Sequence, residues 1–171
     1  MTQERITKIW SELRLRHTLL SSTVEFDGFE EIRFAYNPPT IYAEAYQAAK
    51  DNIAFKFEQS DQAILDEYLN GPRTLSDQKL ASLWISTECS EADYSSLLSN
   101  TKEGQDESVQ FSFWLLATHF LGDGMALHTT ANEFFYLLGG GLEEAESANK
   151  GLEWDVKTGI VVSLKLACDV V

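Results

Sequence analysis

Phe113-Trp114-Leu115-Leu116-Ala117-Thr118-His119-Phe120-Leu121-Gly122-Asp123-Gly124-Met125-Ala126-Leu127 is the most informative run in the chain. Residues Val109–Thr118 read as a strand, apolar on both faces, which predicts a central position in a sheet. Met125–Leu138 reads as an amphipathic helix, closed by the breaker Gly139-Gly140-Gly141. The junction between them carries His119-x-x-x-Asp123-Gly124. A strand end delivers His119 to the rim of a sheet, where a side chain can meet a cleft. Free imidazole titrates close to neutrality, so a histidine there can accept a proton from a substrate hydroxyl. Asp123 can cap the helix and fix the loop, and Gly124 lets the backbone turn tightly.

Upstream, apolar residues at Ile6, Ile9, Trp10, Leu13 and Leu20 predict a helix over Ile6–Leu20. Ser22–Phe26 and Glu31–Tyr36 flank Asp27-Gly28 and predict a hairpin, stopped by Asn37-Pro38-Pro39. Ile41–Asn52 reads as helix and Ile53–Glu58 as strand. Asp61–Leu69 reads as a helix capped by Asp61 and ended by Asn70-Gly71-Pro72. Leu83–Glu88 reads as strand, and Glu91–Asp106 as a helix that gives way to a loop. Glu143–Lys157 is polar, and Ile160–Val171 is a closing β-branched run. Strands interleaved with helices predict an α/β or α+β two-layer sandwich with a mixed sheet, one domain over residues 1–171. The chain stops inside an apolar run, which predicts a fold incomplete at its C-terminal end.

Composition excludes several classes. Thirteen Lys and Arg stand against 27 Asp and Glu, a formal net charge of −14. That is the wrong sign for a nucleic-acid partner, which needs basic groups to release counterions. The two cysteines, Cys89 and Cys168, support neither a disulfide framework nor a thiolate metal site. His128 does not complete a metal triad with His119 and Asp123, because the two imidazoles leave their elements in different directions, so no metal is expected. No signal-peptide core and no apolar run of ~18 residues occur, which predicts a cytoplasmic protein with no membrane partner.

A strand ending in His119-x-x-x-Asp123-Gly124 and followed by an amphipathic helix resembles the HxxxD-type CoA-dependent acyltransferases. These include chloramphenicol acetyltransferase, plant BAHD acyltransferases, fungal trichothecene O-acetyltransferases and the condensation domains of peptide synthetases. Ile9-Trp10-Ser11-Glu12-Leu13-Arg14-Leu15-Arg16-His17 is similar to the opening W-x-x-LR-x-xHP helix of fungal O-acyltransferases, with Thr18 where proline is usual. The resemblance spans roughly Ile6 to Gly141, and its specific part is the single motif.

The resemblance implies a chloramphenicol acetyltransferase-like half-domain in which His119 is the general base. Acyl-CoA would be the co-substrate, and a small hydroxylated molecule, such as a fungal secondary metabolite, the acceptor. Asp123 would be structural, paired with an arginine: Arg14, Arg16, Arg33 or Arg73. Two-domain members of this kind build their site between two halves, and no DFGWG-like segment follows Gly141 here. Chloramphenicol acetyltransferases trimerise, but their histidine lies close to the C-terminus, whereas 52 residues follow His119. A second half-domain or a homo-oligomer is therefore the implied partner. Two alternatives remain: a non-catalytic half-domain that binds a partner, and a condensation-like domain using carrier-protein thioesters. The latter would carry a second histidine where Thr118 stands.

Overall fold

The computed structural model describes residues 2–28, 31–99, 109–121, 124–141 and 162–165. Helix α1 (Gln3–Arg16) starts at Thr2, whose side chain accepts a hydrogen bond from the Arg5 N–H at 3.2 Å. Glu4 in the first turn and Arg14 and Arg16 in the last complement the helix dipole. Its apolar stripe of Ile6, Ile9, Trp10 and Leu13 is at most 1% exposed. Burial of such side chains contributes roughly 1.5–3 kcal/mol each, which makes α1 the principal organiser of the core. The helix ends four residues before the predicted Leu20. The backbone of His17 leaves helical geometry, and Thr18–Ser21 forms a 3-10 turn. The Ser21 and Ser22 hydroxyls donate back to the carbonyls of Arg14 and Thr18, which holds that turn closed.

Strands β1 (Thr23–Asp27) and β2 (Glu31–Ala35) pair antiparallel, with Gly28 at φ 72°, as the Asp27-Gly28 signal predicts. Strand β6 (Val162–Lys165) adds to the far side of β2, with Glu31 opposite Lys165. Helix α2 (Tyr42–Lys50) leads to β3 (Ile53–Lys56). Helix α3 (Asp61–Asn70) crosses to β4 (Ala81–Ser86), which lies parallel to β3. Ser60, not Asp61, caps α3: its Oγ accepts from the Ala63 N–H, and Asp61 sits in the first turn, where its charge suits the dipole. Helix α4 (Glu91–Ser99) precedes β5 (Ser112–Ala117), which runs antiparallel to β4. The later half of the predicted Glu91–Asp106 segment and the polar Glu143–Lys157 run lie outside the described residues, as does all but β6 of the closing run.

Two three-stranded sheets result, β1-β2-β6 wholly antiparallel and β3-β4-β5 mixed, so the fold is mixed α and β with small sheets. Strand β4, fully buried along its length, is the middle strand of the second sheet; β5 is at the edge of that described sheet. The expectation of a central β5 is corrected here. Its two apolar faces have a different cause. Phe113, Leu115 and Ala117 face the core built on α1, while Trp114 and Leu116 face Ile64 of α3. Helices therefore cover both faces, and a strand between them is apolar on both sides wherever it sits. Helix α5 (Gly124–Tyr136) packs Phe134 and Phe135 against Phe113 and gives way to a wider turn, Leu137–Gly141, with Gly140 at φ 132°.

Candidate functional site

Strand β5 ends where expected. The Thr118 N–H donates to the Leu80 carbonyl at 2.8 Å, and the Leu121 N–H donates to the Thr118 carbonyl at 3.1 Å. These bonds close a single 3-10 turn, His119–Leu121, whose Leu121 is sunk into the main core. His119 is thereby carried on a short, anchored turn at the sheet rim, and its side chain is exposed. The neighbouring Thr118 Oγ1 is buried with no hydrogen-bond partner among the described residues. Gly124 is the first residue of α5, while Asp123 lies outside the described residues.

Of the four candidate arginines, two are spent elsewhere. Arg16 Nη1 donates to Glu133 Oε1 of α5 at 2.6 Å, and Arg33 Nη2 lies 2.7 Å from Glu31 and 3.1 Å from Asp27. Arg73 is exposed in the connection from α3 to β4. Ala81 pairs with Ala117, so that connection meets the same sheet end as His119. Arg14 differs from the rest. Burial pushes its basicity down, with the Tyr36 phenol opposing that shift. Its Nε donates to Ser21 Oγ at 3.2 Å, yet its Nη1 is buried and has no partner among the described residues. Lys79, next to Leu80, is likewise lowered by burial and by the Arg14 charge.

Other histidines take different roles. His128 is exposed on α5. His17 is half-buried, with Nε2 2.7 Å from Glu133 Oε2. Burial raises the Glu133 carboxyl, but the hydrogen bonds and charges of His17 and Arg16 outweigh it and hold the group below its ordinary range. Among the described residues no three His, Cys, Asp or Glu side chains gather as a metal site would require. Sequence reasoning missed Glu133 and the Arg14 surroundings. The available signal for the latter was a polar row, Thr7, Ser11 and Arg14, running along a helix face that is otherwise core.

A cleft of about 570 Å³ lies at the carboxyl ends of β3 and β4, beside Gln59, Ser86, Thr87 and Cys89. Since β5 runs against β4, this is the opposite end of the sheet from His119, and the cleft cannot serve it. No described helix is long and apolar enough to cross a membrane. No protein-family model, no curated protein and no solved structure matches this chain.

Proposed function

We propose that the chain is the amino-terminal, histidine-bearing half of a CoA-dependent acyltransferase with a chloramphenicol acetyltransferase-like sandwich. It would move an acyl group, acetyl in the simplest case, from acyl-CoA to the hydroxyl of a small acceptor. The carrying observation is His119 itself: solvent-facing, at the exit of β5, on a turn pinned by Leu121, directly ahead of α5. In this reading the imidazole takes the acceptor hydroxyl proton while the oxygen attacks the thioester carbonyl. The tetrahedral oxyanion then collapses, the C–S bond breaks, and the imidazolium returns the proton to the departing thiolate. Asp123 is the structural carboxylate, with Arg14 and Arg73 as the arginines not committed to a described carboxylate. Completion of the site falls to a second half-domain or a second copy.

Thiol release from acetyl-CoA, measured with a panel of small alcohols, tests this reading. Activity that falls ~10²-fold or more in His119→Ala supports it. No thiol release from either protein, alone or as an oligomer, rejects catalysis by this chain. A non-catalytic, partner-binding half-domain then becomes the better account. The exposed Met125, Phe135 and Tyr136 on α5 (52–73% exposed) favour that second reading.

A further inference from the structure

The C-terminal half of α1, the turn that follows it and the exit of β2 enclose a cleft of about 340 Å³ against α2. Its polar lining is unusual. Ser11 is 0% exposed, and its hydroxyl has no hydrogen-bond partner among the described residues. Arg14 is held in one orientation, because Ser21 Oγ accepts from its Nε at 3.2 Å and donates to its carbonyl at 3.1 Å. That clamp leaves Nη1 buried and idle. Tyr36 lines the same cleft, and burial raises its phenol, so it stays a neutral hydrogen-bond donor at physiological pH.

Charge makes the case stronger. The chain has 27 acidic residues against 13 basic ones, yet among the described residues none of the acids pairs with this guanidinium. The charge set against it is a second cation, Lys79. Glu44, the acid on the cleft wall, is occupied by Thr40, whose N–H and Oγ1 both donate to it at 2.8 Å. A buried guanidinium N–H with no acceptor loses hydration and gains nothing in return, whereas a charge-assisted bond to an anion recovers the loss. Apart from Asn37, the remaining walls are apolar, from Leu15, Pro38, Pro39, Ala45 and Ala48. A phosphate would set unsolvated oxygens against those groups; an organic acid would set carbon against them.

We infer that this cleft is a binding site for a small organic carboxylate. Arg14 Nη1 and the Ser11 hydroxyl meet its oxygens, the Tyr36 hydroxyl supplies a further donor, and the ligand's apolar body lies on Pro38, Pro39 and Ala48. The cavity is at the small end of the ~300–1,000 Å³ range of ligand pockets, which limits the ligand to a short-chain or single-ring acid. This site does not rest on the acyl-transfer reading, and it leaves Arg73 as the arginine for Asp123 there.

Titration calorimetry of the full chain with butyrate, benzoate and inorganic phosphate is the test. The expected result is 1:1 binding of benzoate or butyrate with a Kd of about 1 mM or tighter, and weaker binding of phosphate. Arg14→Gln should weaken carboxylate binding ~10-fold or more, and Tyr36→Phe by a smaller factor. Should Arg14→Gln not fold by circular dichroism, Tyr36→Phe and Ser11→Ala carry the comparison. The inference is overturned by the absence of saturable carboxylate binding, by phosphate binding as tightly as benzoate, or by variants that bind as the parent does. It is equally overturned if binding appears only after Asp123→Asn, for then the chain's own carboxylate already neutralises Arg14.

Discussion

Asn52 shows how much one side chain can hold. The Trp10 indole N–H donates to its Oδ1 at 3.0 Å, and its Nδ2 donates to the Ala81 carbonyl at 2.8 Å. Its own carbonyl accepts from Ser82 Oγ at 2.9 Å, so α1, the entry to β3 and the start of β4 meet on one residue. Asn52→Ala leaves a buried indole N–H and a buried carbonyl unpaired and should cost about 3 kcal/mol, read from the urea midpoint. A loss below ~1 kcal/mol would mean that water replaces the amide. Glu133 gives a pH prediction of definite sign. Its carboxyl is held below its unfolded value, so its contribution is present above the ordinary carboxylate range and is lost as pH falls through the folded value. Acidification should therefore destabilise the parent more than Glu133→Gln in parallel melts. At this scale the sequence was only partly legible. Trp10 and Leu13 announce their burial by helical spacing. Asn52 and Glu133 look like ordinary polar residues of a helix end and a helix face, because their partners lie 42 and 116 residues away.

The elements were the most readable level, and their failures have specific causes. The hairpin, the run of alternating helices and strands, and the glycine stop after α5 follow from turn chemistry and periodicity that act locally. The position of β5 did not follow, because a helix on each face leaves the same apolar signature as burial in mid-sheet. The sequence points to Asp61 as the cap of α3 for a similar reason, where the structure has Ser60. Ser60 and Asp61 are both good cap residues in adjacent positions, and backbone geometry alone separates them. The glycine triplet gives the test at this scale. An added Cβ meets nothing within 4 Å at either Gly139 or Gly140, but Gly140 has φ 132° and Gly139 has no positive φ. Gly140→Ala should cost about 1–2 kcal/mol through backbone strain, and Gly139→Ala close to nothing. Equal effects in thermal melts would contradict the assignment of Gly140 as the residue that turns the chain out of α5.

For the whole molecule the sign of the charge matters more than any pair. With a formal net charge of −14, self-repulsion opposes the compact state, and salt relieves it. The screening length falls from ~30 Å at 0.01 M to ~10 Å at 0.1 M, so the melting temperature should rise over that interval by a few degrees. A fall would mean that ion pairs such as Arg16–Glu133 outweigh the overall repulsion. The mixed α and β class was legible in the alternation of elements. Its division into two sheets was not, since β2 takes its second partner from the far end of the described chain. That pairing sets a timetable for biosynthesis. About 130 residues separate Glu31 from Lys165, so a ribosome working at roughly 5–20 residues per second releases β6 some 7–26 seconds after β2. Throughout that interval the outer edge of β2 has emerged ahead of β6, the described strand that meets it. A nascent chain of this protein thus presents a bare β-edge early, and a holdase chaperone would find its target there.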